Sequence, residues 1–87
     1  MPATATHLRL DGYTDSAAVD DAFASSLVDV AYIDEITPEA IFVLPDQAGS
    51  IDLDNPKDVE WLTDVIVTTL AEYGQNGVRL TLVRKQA

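Results

Sequence analysis

Residues 4–10 alternate between polar and apolar side chains, which predicts a β-strand. Leu8 and Leu10 fall on one face of this segment, while His7 and Arg9 fall on the other. Because successive side chains of a strand point to opposite sides of the sheet, the two leucines are expected to face a core.

The last apolar segment, residues 78–84, shows the same alternation and predicts another strand. Val78, Leu80 and Leu82 are expected to face the core. The residues between them are expected to point to the other side of the sheet.

Two central segments, residues 28–36 and 41–44, are short and rich in β-branched and aromatic residues, as strands are. Pro38 between them suits the second position of a tight turn, so the two segments predict a hairpin. Val28 and Val30 are expected to point into the core. The Thr-Pro-Glu sequence around Pro38 also resembles the start of a helix, and this alternative stays open.

Two longer segments repeat apolar residues every three or four positions, which predicts amphipathic helices. The first covers about residues 15–27 and can be capped by Thr14 or Asp15. The second covers about residues 56–73. Trp61 widens its apolar stripe and is therefore predicted to lie in the core.

The polar loop at residues 46–56 ends in a run of acids that could form either a metal site or a helix start. Asn55 is a favoured N-cap, Pro56 suits the first helical position, and Asp58 can reach back to the cap amide. A calcium-binding loop counted from Asp52 lacks the glycine and the glutamate that such a loop requires. The acids therefore predict a helix start, and no metal site is expected.

The predicted element order is β-α-β-β-α-β, which is the order of a ferredoxin-like sandwich. In this α+β fold a four-stranded antiparallel sheet carries two helices on one face, and right-handed crossovers place the first and third strands at the centre. The chain of 87 residues is expected to form a single domain, residues 1–87, with an ordered core of about 4–84.

The sheet face opposite the helices is predicted to be open to a partner strand or to a second copy in a homodimer. The first, third and last strands supply its side chains. The expected set is His7, Arg9, Phe42, Leu44, Arg79 and Val83. For the third strand the pattern equally allows the opposite pair, Ile41 and Val43.

The charge is strongly negative, since 15 acids and 5 bases give a formal net charge of −10. Such a surface repels phosphate, so direct binding to nucleic acid or to an anionic membrane is not expected. The N-terminal segment lacks the basic and apolar regions of a secretion signal, and a cytoplasmic location is therefore expected.

No group of catalytic or cofactor-binding residues stands out. The chain has no cysteine, one histidine and no glycine-rich phosphate loop. His7 beside Arg9 is interpreted as a surface residue, and the pair Asp34 and Glu35 as solubilising charge. We therefore expect no enzyme activity, no metal and no cofactor.

The acids themselves are the strongest candidate for a binding surface. As a DNA mimic, their carboxylates could replace phosphates on the basic surface of another protein, which the chain would inhibit. The predicted partner-binding set is Asp15, Asp20, Asp21, Asp52, Asp54, Asp58 and Glu60. In size and charge, though not in sequence, the chain is similar to phage-encoded inhibitors such as anti-CRISPR proteins and to immunity proteins.

Two alternatives stay open. Regulatory domains of the ACT kind hold a small molecule at the loop after their first strand, and the turn at Asp11 and Gly12 lies at that place. A homodimeric regulatory domain with a pocket near Asp11 to Thr14 is therefore one alternative. An acidic adaptor from a salt-adapted source, with an unknown partner, is the other.

Overall fold

The computed structural model describes residues 4–46 and 49–86, so residues 47 and 48 of the predicted polar loop lie outside the described part. Its elements are β1 (Thr4–Asp11), α1 (Ser16–Ala24), β2 (Ala31–Ile36), β3 (Ile41–Pro45), α2 (Pro56–Glu72) and β4 (Arg79–Gln86). This is the predicted order. The segment around Pro38 is a hairpin turn, closed by Thr37 Oγ1 donating to the Ala40 carbonyl at 2.8 Å, and its alternative as a helix start is wrong.

The four strands form one sheet in the order β2-β3-β1-β4, and each neighbouring pair is antiparallel. β1 and β3 are central, as predicted, and the fold is an α+β ferredoxin-like sandwich. The edges of the sheet are β2 and β4. β4 pairs with β1 along all 8 of its residues, whereas β2 carries a bulge between Ile33 and Glu35.

The core lies between the helices and one face of the two central strands. Leu8 and Leu10 of β1 and Ile41 and Val43 of β3 are at most 1% exposed. They cluster with buried residues of both helices, which are Val19, Ala22, Phe23, Leu62, Ile66 and Leu70. The buried pair of β3 is therefore the isoleucine and the valine, and the intervening side chains face the open side of the sheet.

Both helices begin where the capping residues predict. The side chains of Asp15 and Asn55 each accept a hydrogen bond of 3.0 Å from the backbone N–H two residues further on. The predicted bond from Asp58 to the cap amide is wrong. Asp58 Oδ2 instead accepts from the backbone N–H of Asp52 at 2.9 Å, which fastens the preceding loop to the first turn of α2.

β2 is shorter than the sequence predicts, because turns occupy residues 25–30. The backbone N–H of Ala31 bonds to the carbonyl of Leu27 at 3.0 Å, which carries the chain from α1 directly into the strand. Val28 is 55% exposed, so its predicted place in the core is wrong. Ala31 and Ile33 contact the core instead.

The helix-facing side of β4 is only partly covered. Leu82 stands opposite Leu8 in the register, yet it is 45% exposed, so its predicted burial in the core is wrong. An open groove of about 240 Å³ lies beside it, and Leu53, Asp54 and Arg84 contribute to its walls. Leu82 remains exposed because β4 is an edge strand, whereas the core is centred on β1 and β3.

Two loops meet closely where β1 ends and β4 begins. A Cβ added to Gly12 would lie 2.1 Å from the carbonyl oxygen of Gly77, and Gly12 has a φ of +85°. Gly74, just after α2, has a φ of +83°, but a Cβ there would meet nothing within 4 Å. Both residues use the left-handed backbone that favours glycine, but only at Gly12 would an added Cβ also clash with neighbouring backbone.

We expect Gly12→Ala to destabilise the protein much more than Gly74→Ala. Each change places a Cβ on a left-handed backbone, at a cost of about 1–2 kcal/mol. Gly12→Ala adds a clash with backbone, so its loss of unfolding free energy should be larger by roughly 2 kcal/mol. Urea denaturation of the two variants measures the difference, and equal losses would contradict the close approach.

Candidate functional site

All six residues predicted for the open sheet face lie on that face. Directly opposed residues of antiparallel strands point to the same side of a sheet. The opposed pairs on this side are Arg9 with Phe42, His7 with Val83, Arg79 with Asp11, and Leu44 with Tyr32. The fold therefore brings these residues together, and their role as an interface stays a prediction.

His7 is buried, although the sequence was interpreted as placing it on the surface. It is 5% exposed, and its Nε2 atom lies 2.9 Å from Oδ2 of Asp34. Asp34 is the extra residue of the β2 bulge, and a bulge re-aims the side chain that it carries. The interpretation of Asp34 as solubilising charge is therefore wrong, because its carboxylate links the edge strand β2 to the central strand β1.

The arginines of the open face are paired within the face itself. Arg9 Nη1 donates to Asp11 Oδ2 at 2.9 Å, and Arg79 Nε lies 3.4 Å from Asp11 Oδ1. The Asp11 side chain is only 20% exposed. One shielded carboxylate thus accepts a hydrogen bond from Arg9 and forms an ion pair with Arg79 across β1 and β4, although the Arg79 side chain itself is 80% exposed.

Three of the seven predicted partner-binding acids hold the fold. Asp15 caps α1, and Asp58 accepts from the backbone of Asp52. Asp52 Oδ1 accepts in turn from the backbone N–H of Asp54 at 2.9 Å. A carboxylate that satisfies backbone N–H groups has a structural reason for its position.

The other four predicted acids have no such structural task. Asp20, Asp21, Asp54 and Glu60 are exposed. Within residues 4–46 and 49–86, their carboxylates make no hydrogen bond and no salt bridge. The first three acids therefore stabilise the fold through hydrogen bonds, whereas these four contribute only negative charge to the surface of the described residues.

The seven acids form two groups rather than one cluster. The start of α1 lies beside the end of α2, because Asp15 N donates to the Gln75 side chain at 3.1 Å. α2 has 17 residues and is therefore roughly 25 Å long. The acids of α1 thus lie toward the C-terminal end of α2, while the acids of residues 52–60 lie at its other end.

Trp61 is 53% exposed, so its predicted place in the core is wrong. The buried stripe of α2 consists of Leu62, Ile66 and Leu70. Trp61 precedes this stripe by one residue and is rotated about 100° from Leu62 around the helix. Trp61 is therefore a candidate binding residue that the sequence analysis missed. Its position between the charged Glu60 and the buried stripe is the feature that could have indicated its exposure.

The loop after β1 is closed by a side chain from the loop after α2. Gln75 Oε1 accepts from Thr14 N at 2.7 Å, from Thr14 Oγ1 at 3.2 Å and from Asp15 N at 3.1 Å. Gln75 is 6% exposed. The backbone N–H groups of Thr14 and Asp15 are therefore occupied by the protein and not offered to a small molecule, so they lend no support to the regulatory-domain alternative.

A hydroxyl cluster connects the ends of the two helices. The phenol oxygen of Tyr73 lies 2.9 Å from Ser25 Oγ and 2.8 Å from Ser26 Oγ. The hydrogen bonds from Ser25 and then Ser26 lower the pKa of Tyr73 below its ordinary value, and they outweigh desolvation and the charge of Asp21, which act in the opposite direction.

Neither metal sites, nor membrane-spanning helices, nor similarity to known proteins indicates a function for the described part of the chain. Among the described residues, no three His, Cys, Asp or Glu side chains are grouped closely enough to hold a metal ion. No helix in that part of the chain is long and apolar enough to cross a membrane. Comparison with protein-family models, with curated proteins and with solved structures finds no match to this chain.

We expect Gln75→Leu to lower the unfolding free energy by about 2 kcal/mol, because the N–H groups of Thr14 and Asp15 lose their buried acceptor. Asn76→Leu is the matched control, since Asn76 is the exposed neighbour of Gln75. Denaturation in urea should separate the two variants. Similar stability of both would show that Gln75 does not close the loop.

The Tyr73 cluster can be tested by titration in a Tyr13→Phe, Tyr32→Phe background, where Tyr73 is the only tyrosine. We expect Ser25→Ala with Ser26→Ala to raise the pKa of Tyr73, because the side-chain hydrogen bonds that lower it are lost. Phenolate absorbance measures the pKa, and Ser50→Ala serves as a control. An unchanged pKa would contradict the cluster.

Proposed function

We propose that this protein is a non-enzymatic inhibitor that covers a basic, nucleic-acid-binding surface of another protein with the acidic outer side of its helix layer. The observation that carries the proposal is the presence of exposed carboxylates with no structural task. They are Asp20, Asp21, Asp54 and Glu60. Carboxylates in such positions can stand in for the phosphates of a nucleic acid.

Some of these acids lie where they oppose helix stability. Glu60 and Asp64 are at i and i+4 of α2, where like charges destabilise a helix by roughly 0.2–0.5 kcal/mol. Asp21 lies in the last turn of α1, where the helix dipole disfavours a negative charge. Charges that oppose local stability favour a role in binding over a role in folding.

The helix side suits a basic partner better than the sheet side does. α2 carries four acids against one base, Lys57, and α1 carries Asp20 and Asp21 against none. On the sheet side, the carboxylates of Asp11 and Asp34 are already engaged with basic side chains of β1 and β4. The helices therefore carry exposed carboxylates without an ion pair among the described residues, whereas Asp11 and Asp34 on the sheet side are paired.

A net charge of −10 also affects how fast a partner is found. Opposite charge attracts a basic protein over distances of about one Debye length, roughly 8 Å at physiological ionic strength. Association should therefore be fast at low salt and slow as salt rises. Self-association through the open sheet face remains a separate prediction, and it leaves the helix side free.

The proposal is tested with charge-reversed variants in affinity capture from a nuclease-treated lysate of the source cells. Asp20→Lys with Asp21→Lys, and Asp54→Lys with Glu60→Lys, each replace two carboxylates by two ammonium groups without removing a hydrogen bond. Asp29→Lys with Glu39→Lys is the matched control, because both residues are exposed outside the helices. All variants should keep the far-ultraviolet spectrum of the wild type.

We expect the wild type and the control to capture a basic, nucleic-acid-handling protein that at least one helix-side variant loses. High salt should release it, because the interaction is electrostatic. Capture of the same protein by both helix-side variants would contradict the proposal. Equal loss in the control would also contradict it, since net charge rather than a defined surface would then explain binding.

A further inference from the structure

The outer side of α2 presents one large exposed ring. Trp61 is the only tryptophan of the chain and is 53% exposed. Tryptophan is over-represented among the residues that dominate binding energy, because its ring gives up a large apolar area to a partner. The exposed ring is therefore a candidate contact for a binding partner, and the charges around it indicate the chemistry of the group that would bind there.

Charged residues border Trp61 along the helix. Residues three or four positions apart on a helix are neighbours on its surface. Asp58 and Asp64 lie three residues before and after Trp61, and Lys57 lies four residues before it. Asp58 Oδ2 is bonded to the backbone of Asp52, whereas the exposed carboxylate of Asp64 makes no bond with the described residues. Asp64 is thus the acceptor available beside the ring.

We propose that Trp61 and Asp64 form a site for an arginine side chain of the basic partner. A guanidinium group is planar, so it can stack on the indole face while its N–H groups donate to the Asp64 carboxylate. A lysine ammonium is more strongly hydrated and has no planar fork, and it fits this pair less well. The inference rests on the proposed function, since the basic partner supplies the arginine.

Other occupants match this surface less well. A second copy that docked here through its own α2 would bring its Asp58 and Asp64 against those of the first copy, and these like charges repel. A purely apolar surface would take Asp58 and Asp64 out of water without a partner, which is unfavourable. A cationic side chain both covers the ring and offsets the carboxylates.

The single tryptophan allows the site to be tested directly. Hexa-arginine and hexa-lysine peptides are titrated at about 0.15 M salt, and the indole emission and the indole N–H resonance are followed. We expect hexa-arginine to change both signals in a saturable way. Its Kd should be lower than that of hexa-lysine by about fivefold or more.

Calorimetry on variants separates the ring from the general charge. Trp61→Leu removes the ring but keeps an apolar side chain, and Asp64→Asn removes the charge at constant size. Each should weaken hexa-arginine binding by about fivefold. Tyr32→Leu and Glu39→Gln are the matched controls, which remove an exposed aromatic ring and an exposed carboxylate elsewhere and should leave the affinity unchanged.

Lys57→Gln supplies a test of opposite sign. Removing this ammonium takes away a positive charge one turn from Trp61, so hexa-arginine should bind more tightly. Equal affinity of Trp61→Leu and Tyr32→Leu for hexa-arginine would overturn the inference. Equal affinity of the wild type for the arginine and lysine peptides, or no binding of hexa-arginine, would overturn it as well.

The two proposals can fail independently. If Trp61→Leu still captures the cellular partner as well as the wild type while the reversal of Asp20 and Asp21 abolishes capture, the inhibitor proposal stands and the arginine site is wrong. If all variants capture the partner equally, both proposals are wrong. Loss of capture in Trp61→Leu but not in Tyr32→Leu supports both.

Discussion

The fold depends on the burial of one face of the central strands under the two helices. Leu8 and Leu10 of β1 and Ile41 and Val43 of β3 form that face. Burial of each such side chain stabilises the fold by about 1.5–3 kcal/mol, and a chain of this size has few of them. Because the core is centred on β1 and β3, the edge strands are only partly covered. Because the apolar side of each helix packs on the sheet, the charged residues of both helices face solvent. The packing of the core therefore also determines where the surface charge lies.

Local chemistry made much of this fold predictable. The caps at Asp15 and Asn55 and the alternation of β1 depend on residues close together in sequence, and each lies where the pattern predicts. Trp61 and Leu82 were misplaced for another reason. Both side chains are apolar, as core residues are, but their burial depends on whether elements remote in the sequence pack over them. A local pattern of apolar residues does not contain that information.

The candidate site was predictable in composition but not in arrangement. From sequence, Asp15 and Asp58 were expected near helix starts, yet they also fitted the same partner-binding set as Asp20. Only the hydrogen bonds of the folded chain show which carboxylates have a structural partner and that Asp20 has none among the described residues. The contact between His7 and Asp34 spans 27 positions and requires a bulge, which the sequence does not announce. Side-chain contacts across a sheet depend on the tertiary structure, so patterns of residues close together in the sequence could not predict this one.

The uninterrupted edge of β4 has a consequence for the behaviour of the protein at high concentration. A long, regular strand at the edge of a sheet offers its outer backbone groups to other chains, and such edges are where fibrils nucleate. β2 is interrupted by its bulge, whereas β4 is regular and carries the exposed Leu82. The basic residues of β4 supply part of the protection that the missing bulge does not. Like charge on every copy then acts as a colloidal barrier between edges. Acidification or a polycation lowers that barrier, so the conditions that neutralise the acidic surface are also those that favour contact between the β4 edges of two copies.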